Sequence, residues 1–198
     1  VPRFLVGLAF FSLLADLAVV LGVVIALQQL RLSREEANLR RKRELAEEML
    51  VTVAQVEDAF RYCRNLLDTI PKDKAGDREF IYRRRYERLQ DQEAKFMKLR
   101  EMQVRCEAVM GDVGLRKHVT ELFNYRNEIA WAITDLAEFD SDQGSPTQKT
   151  DQDNRNKTRR ILYGTWSHKD EFGMKILKEI KAIRLIVCQA ARLNGEIK

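Results

Sequence analysis

Residues Phe4 to Leu27 form an apolar run of 24 residues in which only Ser12 and Asp16 are polar. At about 1.5 Å of rise per residue, a helix of that length reaches across the roughly 30 Å hydrocarbon layer of a bilayer. The run predicts a transmembrane anchor over residues 1–30, and this expectation shapes the reading of everything after it. A cleaved secretory signal is the rival, with Arg3 as its charged region. Signal cores are about 7–15 residues long and end in a small-x-small site, whereas this run resumes beyond Asp16 and ends in Gln28, Gln29 and Arg31. The chain starts at Val1 rather than Met, so processing, a non-Met start or a missing upstream segment all stay open.

Charge asymmetry supplies an orientation. One Arg precedes the run, and Arg31, Arg34, Arg40, Arg41, Lys42 and Arg43 follow it, diluted by Glu35, Glu36 and Glu44. Basic residues beside a span stay on the cytoplasmic side. The expected placement is the inner (plasma) membrane, single-pass, with the N-terminus outside and the C-terminal region cytoplasmic. The stretch 31–45 reads as a basic juxtamembrane helix whose cations stop translocation and can also touch anionic headgroups of the lipid bilayer.

Asp16 falls near the centre of the expected span, where an unpaired carboxylate costs about 2.5 to 3.5 kcal/mol. Two readings stand. Asp16 is protonated and idle, or it shares a proton or hydrogen bonds across a helix oligomer, with Ser12 one turn earlier on the same face.

From residue 46 onward the pattern is helical. Met49, Val53, Val56, Phe60, Cys63, Leu67 and Ile70 alternate three and four apart, as in a coiled coil, while Leu45, Leu50, Ala54 and Leu66 widen the stripe toward a bundle face. Neither Gly nor Pro occurs between Gly22 and Pro71. Ser33 with Glu36 matches a capping box that would start a fresh helix there. Pro71 to Gly76 closes the first helix; a second is expected from about Asp77 to Met110, and a third from Leu115 to about Phe139. The stretch 141–158 carries no large apolar residue and reads as a mobile loop. Ser167 with Asp170 suits the start of a last helix, Lys169 to about Leu193, stopped by Asn194 and Gly195. The predicted fold is all-α: an N-terminal transmembrane helix, then an antiparallel cytoplasmic helical bundle over 46–198 with a long first helix.

Residue constellations that carry chemistry are mostly absent from the sequence. A helical di-iron site needs Glu-x-x-His, yet Leu115 and Thr165 stand three residues before His118 and His168. His118 with Glu121 reads as a surface pair. There is no Gly-rich phosphate loop and no Cys-x-x-Cys, and Cys63, Cys106 and Cys188 sit singly in apolar stripes as packed thiols. No catalytic residue, metal site or cofactor is expected. Charged residues make up 33% of the chain but are balanced, 35 basic against 30 acidic, which disfavours nucleic acid as a partner.

Two resemblances follow from particular residues. Arg126-Asn127 within a helix of a small bundle resembles the start of the Arg-x(4 to 6)-His motif of HEPN-type ribonucleases, but Trp131, Ala132 and Ile133 occupy the positions for the His. The general acid or base of RNA cleavage is then missing, so the resemblance implies a catalytically incomplete RNA-binding bundle. By register, Arg126 lies in the apolar stripe, where pairing with a carboxylate from another helix is the simpler expectation. In architecture, the chain is similar to uncharacterised bacterial single-pass membrane proteins with a charged helical cytoplasmic region. Some proteins of that form are effectors in phage defence, which implies an oligomerising, membrane-perturbing alternative. The leading expectation is a non-catalytic, membrane-anchored helical scaffold or adaptor that binds itself or a protein partner.

Overall fold

The computed structural model describes residues 2–66, 70–74, 76–111, 113–141 and 149–191, with side chains described from Leu21 onward except at 141 and 149–151. Every regular element among them is helical: α1 (Pro2–Cys63), a single 3-10 turn (Lys72–Lys74), α2 (Arg78–Asp91), α3 (Glu93–Met110), α4 (Leu115–Ser141), α5 (Lys149–Leu162) and α6 (Glu171–Ala190). The chain divides into two compact units, Val1–Arg41 and Lys42–Lys198. The second unit holds the packed core.

Contacts between helices define the topology of that unit. Glu48 and Phe60 of α1 meet Arg105 and Phe96 of α3, so the two helices run in opposite directions. Glu57 of α1 bonds Arg184 of α6 at 2.9 Å while Arg64, just past the end of α1, reaches Asp170 before α6, which again makes an antiparallel pair. On the far side, α4 is antiparallel to α3 through Glu107–Arg116 and Phe96–Phe123, and to α6 through His118–Glu179 and Tyr125–Phe172. The result is an up-down-up-down bundle with α1 and α4 at opposite corners.

The core is built from the stripes that periodicity marks. Met49, Val53, Val56 and Phe60 of α1 face Phe96, Leu99, Met102 and Cys106 of α3, Val119, Leu122, Ile129 and Leu136 of α4, and Ile176, Ile180, Ile183 and Val187 of α6, all fully buried. Fully burying one such side chain contributes about 1.5–3 kcal/mol. Phe60 meets Phe96 edge-on, with centroids 5.2 Å apart and planes at 87°, a geometry worth about 0.5–1.5 kcal/mol beyond the area buried.

Beyond Cys63 the bundle changes partners. α1 has ended, and α5 packs against α4, running antiparallel to it from the Asp140 end toward Arg64. Asp140, with a side chain 7% exposed, gathers this upper part: Tyr82 of α2 donates its hydroxyl to it at 2.6 Å, and Arg155 of α5 pairs with it. Burial, reinforced by that bond to a carboxylate, pushes the Tyr82 phenol well above its ordinary value.

Three expectations are corrected here. The loop expected over 141–158 is helical from Lys149 onward as α5, whose exposed face is polar and whose order rests on Arg155, Ile161 and Leu162. The single helix expected from Asp77 to Met110 breaks at Gln92 into α2, capped at its start by Asp77 accepting from the Phe80 N–H, and α3. No fresh helix begins at Ser33, because α1 runs through it. Leu67 and the Asn194-Gly195 stop lie outside the described residues.

The transmembrane helix and the inner-membrane localisation are also corrected: among the described residues, no helix is long and apolar enough to cross a membrane. The apolar residues with described side chains, Leu21 to Leu27, are followed at once by Gln28, Gln29 and Arg31, and the helix that carries them continues as a polar one to Cys63. The side chains of residues 4–20 lie outside the described residues.

Candidate functional site

Arg64 is the largest fully buried side chain among the described residues, at 0% exposure, and sits where α1 stops, α5 ends and α6 begins. Its guanidinium is bonded on each side. Nη1 and Nη2 donate to the two oxygens of Asp170 at 2.9 and 2.8 Å, Nε donates to the Ile161 carbonyl at 2.8 Å, and Nη2 also reaches the Arg160 carbonyl at 3.1 Å. The two carbonyls belong to the last turn of α5, which has no intrahelical donors for them. The return bond runs from the Gly164 N–H to the Arg64 carbonyl at 3.2 Å. A planar cation thus closes one helix at its negative end while its carboxylate partner closes the next at its positive end.

Asp170 is the N-cap of α6, accepting from the Gly173 N–H at 2.9 Å and from the Trp166 N–H at 3.1 Å. Burial by itself would raise its pKa. The bonds from Arg64, Gly173 and Trp166 outweigh burial and hold the carboxyl below its ordinary value. Aromatic rings enclose the pair: the Arg64 guanidinium lies 5.1 Å from the Trp166 ring and 5.0 Å from the Phe172 ring, and Arg61 covers Trp166 at 4.8 Å. Trp166 holds a φ of 58°, a left-handed conformation that a bulky residue adopts only when its surroundings impose it.

Two glycines make room for the guanidinium. A Cβ at Gly164 would collide with its carbon and both terminal nitrogens, and one at Gly173 would collide with Asp170 and stand 2.8 Å from Nη1. Gly173 lies inside the first turn of α6, where alanine would otherwise favour the helix by about 1 kcal/mol.

This junction floors an open groove of about 680 Å³ between α4, α5 and α6. Lys157 and Arg160 line it from α5, Lys169 from the linker and Lys175 from α6, together with Glu128, Glu171, Tyr163 and the buried Phe172. None of the four cations is ion-paired to a described residue. Asp170 is neutralised by Arg64, so the remaining balance of the lining is four positive groups against two negative. Arg85 stacks on the Tyr163 ring at 4.4 Å and fixes its orientation.

The residues singled out from sequence fall elsewhere. Arg126 is half-buried, pairs with Glu93 of α3 and lies 5.8 Å from the Phe96 ring. Trp131, where the HEPN-type motif would have its His, is 71% exposed. His118 meets Glu179 of α6 at 2.6 Å rather than Glu121. Arg31, Arg34, Arg40, Arg41 and Arg43 are exposed and Lys42 is half-buried, and the headgroup contacts expected of them depended on the span. Asp16 and Ser12 have side chains outside the described residues. Cys63 and Cys106 are buried thiols, both pushed up to about 11 by burial. Among the described residues, no group of three or more His, Cys, Asp or Glu is arranged to hold a metal ion.

No protein-family model, curated protein or solved structure matches the chain. The junction therefore has to be read from its own chemistry. Sequence reasoning passed over Arg64, although two signals pointed to it: a cation four residues after Phe60 in an apolar stripe, and Gly173 inside an otherwise regular helix, where an isolated glycine marks close approach.

Proposed function

We propose that this protein is a non-catalytic helical scaffold or adaptor that assembles through the first part of α1, with itself or with a protein partner. One observation supports the reading: residues 21–40 are exposed throughout, and Leu21, Val23, Val24, Ile25, Leu27, Leu30 and Leu32 place large apolar side chains all around the helix. A helix apolar on every face is stable only when something covers it, and exposed apolar surface on this scale marks an interaction site.

A second copy of the chain suits the pattern. Ile25, Leu32 and Leu39 recur every seven residues and share one helix face. The flanking residues carry both signs, Arg31, Arg34 and Arg40 beside Glu35 and Glu36, so they complement a copy of themselves.

Multi-angle light scattering on the full chain tests this. The wild type is expected to be oligomeric, and Ile25→Lys with Leu32→Lys is expected to lower the mass while the thermal transition of the bundle stays in place. Lysine keeps helix propensity, so the change acts on the exposed face and not on helicity. A wild type that stays monomeric at every accessible concentration and binds no partner, or a double variant of unchanged mass, would refute the proposal.

A further inference from the structure

The groove beside the Arg64 junction is separate from the assembly face just proposed, and its chemistry is specific. Four cations from three consecutive segments converge on it: Lys157 and Arg160 on α5, Lys169 in the linker, Lys175 on α6. On a surface where a third of the residues are charged, lone cations are commonplace, but here many of the bases find acids. Lys98 and Arg105 share Glu48, Arg116 takes Glu107, and Arg184 takes Glu57. The groove cations are left without such partners among the described residues even though Glu128 and Glu171 line the same groove. Like charges held together without counter-charge repel one another, and a bound anion removes that repulsion.

The walls add a second requirement. Tyr163 is only partly buried and is held in orientation by Arg85 behind its ring, while Phe172 is fixed by Arg64 and by its edge contact with Tyr125, 5.4 Å between centroids. The Tyr163 ring, locked in place over this buried support, costs no ordering entropy when a planar group packs against it. The volume, about 680 Å³, falls in the range of sites that enclose a small organic ligand and greatly exceeds what one inorganic anion fills. The carboxylates Glu128 and Glu171 can accept from hydroxyl or amino groups on the uncharged part of such a ligand.

We propose that this groove binds a nucleotide, with phosphates held by Lys157, Arg160, Lys169 and Lys175 and the planar base packed against the half-buried Tyr163 ring. Because the floor of the groove is the junction that ties α5 to α6, the occupied state is also the more stable one.

The test is calorimetric titration of the full-length chain with ATP, AMP, adenosine and inorganic pyrophosphate, for wild type, for Arg160→Glu with Lys175→Glu, and for Tyr163→Leu. Both replaced cations are exposed, and the circular dichroism and melting of the charge-reversed variant report that it is folded. Saturable one-to-one binding of ATP, weakened at least about tenfold by the double charge reversal and by added salt, is expected. Tyr163→Leu is expected to weaken ATP and AMP but not pyrophosphate, which separates the base subsite from the phosphate subsite. Pyrophosphate binding as tightly as ATP, with no effect of Tyr163→Leu, would overturn the nucleotide assignment. Absence of saturable binding by any of the four, or ATP binding that ignores the charge reversal in a folded variant, would overturn the site altogether. Loss of self-association through Ile25 and Leu32 leaves this titration unchanged, so the two proposals fail independently.

Discussion

Replacing Asp170 by Asn removes one charge from the buried pair and little else. Asparagine caps helices as well as aspartate does, so the bond from the Gly173 N–H is retained. The Arg64 guanidinium remains at zero exposure with carbonyl partners at Ile161 and Arg160, but without its counter-charge. Breaking a buried pair from one side costs about 3–5 kcal/mol, and the amide oxygen still accepts one bond, which puts Asp170→Asn at the lower end, about 3 kcal/mol. For a chain of this size that lowers the melting temperature by about 6–12 °C, and in urea it moves the midpoint down by about 1–2 M at unchanged slope. Asp170→Ala should lose about 1 kcal/mol more, the value of the cap. Arg64→Met combined with Asp170→Asn should recover much of the loss, because an apolar replacement of a buried pair is often neutral. Urea unfolding followed by circular dichroism measures all three. An Asp170→Asn stability within about 0.5 kcal/mol of wild type would refute the argument, since that is the range of substitutions at ordinary surface positions.

The folded Asp170 carboxyl ionises below its unfolded value, so the pair's contribution is complete above that value, ordinarily 3.8, and is lost as pH falls through the folded-state pKa; the stability gap between wild type and Asp170→Asn should therefore narrow in acid. Gly173→Ala should destabilise the protein although helix propensity alone favours alanine there by about 1 kcal/mol, because the added methyl meets Asp170 and Arg64; a variant more stable than wild type in thermal melts would contradict the close approach. Cys63 and Cys106, buried and raised to about 11, should react with a thiol reagent at neutral pH only after denaturant is added, and rapid labelling of the native chain would contradict their burial. Glu48→Gln, which removes the exposed partner of Lys98 and Arg105, should shift the melting transition by almost nothing, in contrast to Asp170→Asn.

Local pattern was enough to predict much of this protein. The spacing of Met49, Val53, Val56 and Phe60, of Val119, Leu122, Ile129 and Leu136, and of Ile176, Ile180, Ile183 and Val187 determines amphipathic helices by itself, because a 3.6-residue period places those side chains on one face. The capping signal put the start of α6 at Lys169, two residues before the observed Glu171, and the short turn between α3 and α4 was legible from its glycines. Local pattern failed where order comes from elsewhere. α5 has no apolar stripe over 149–158 to announce it and is held by Arg155 on Asp140 and by Ile161 and Leu162 at its end. The break at Gln92 interrupts a sequence that is helix-forming on both sides. The apolar run at the start, read as a membrane span, has no spanning helix to match it among the described residues. The junction lay furthest from view, because Arg64 finds its partners 96 to 106 residues away along the chain. Sequence determined which faces are apolar; only the tertiary structure decided which buried cation meets which carboxylate, since that depends on where helices end in space and not on the residues beside them.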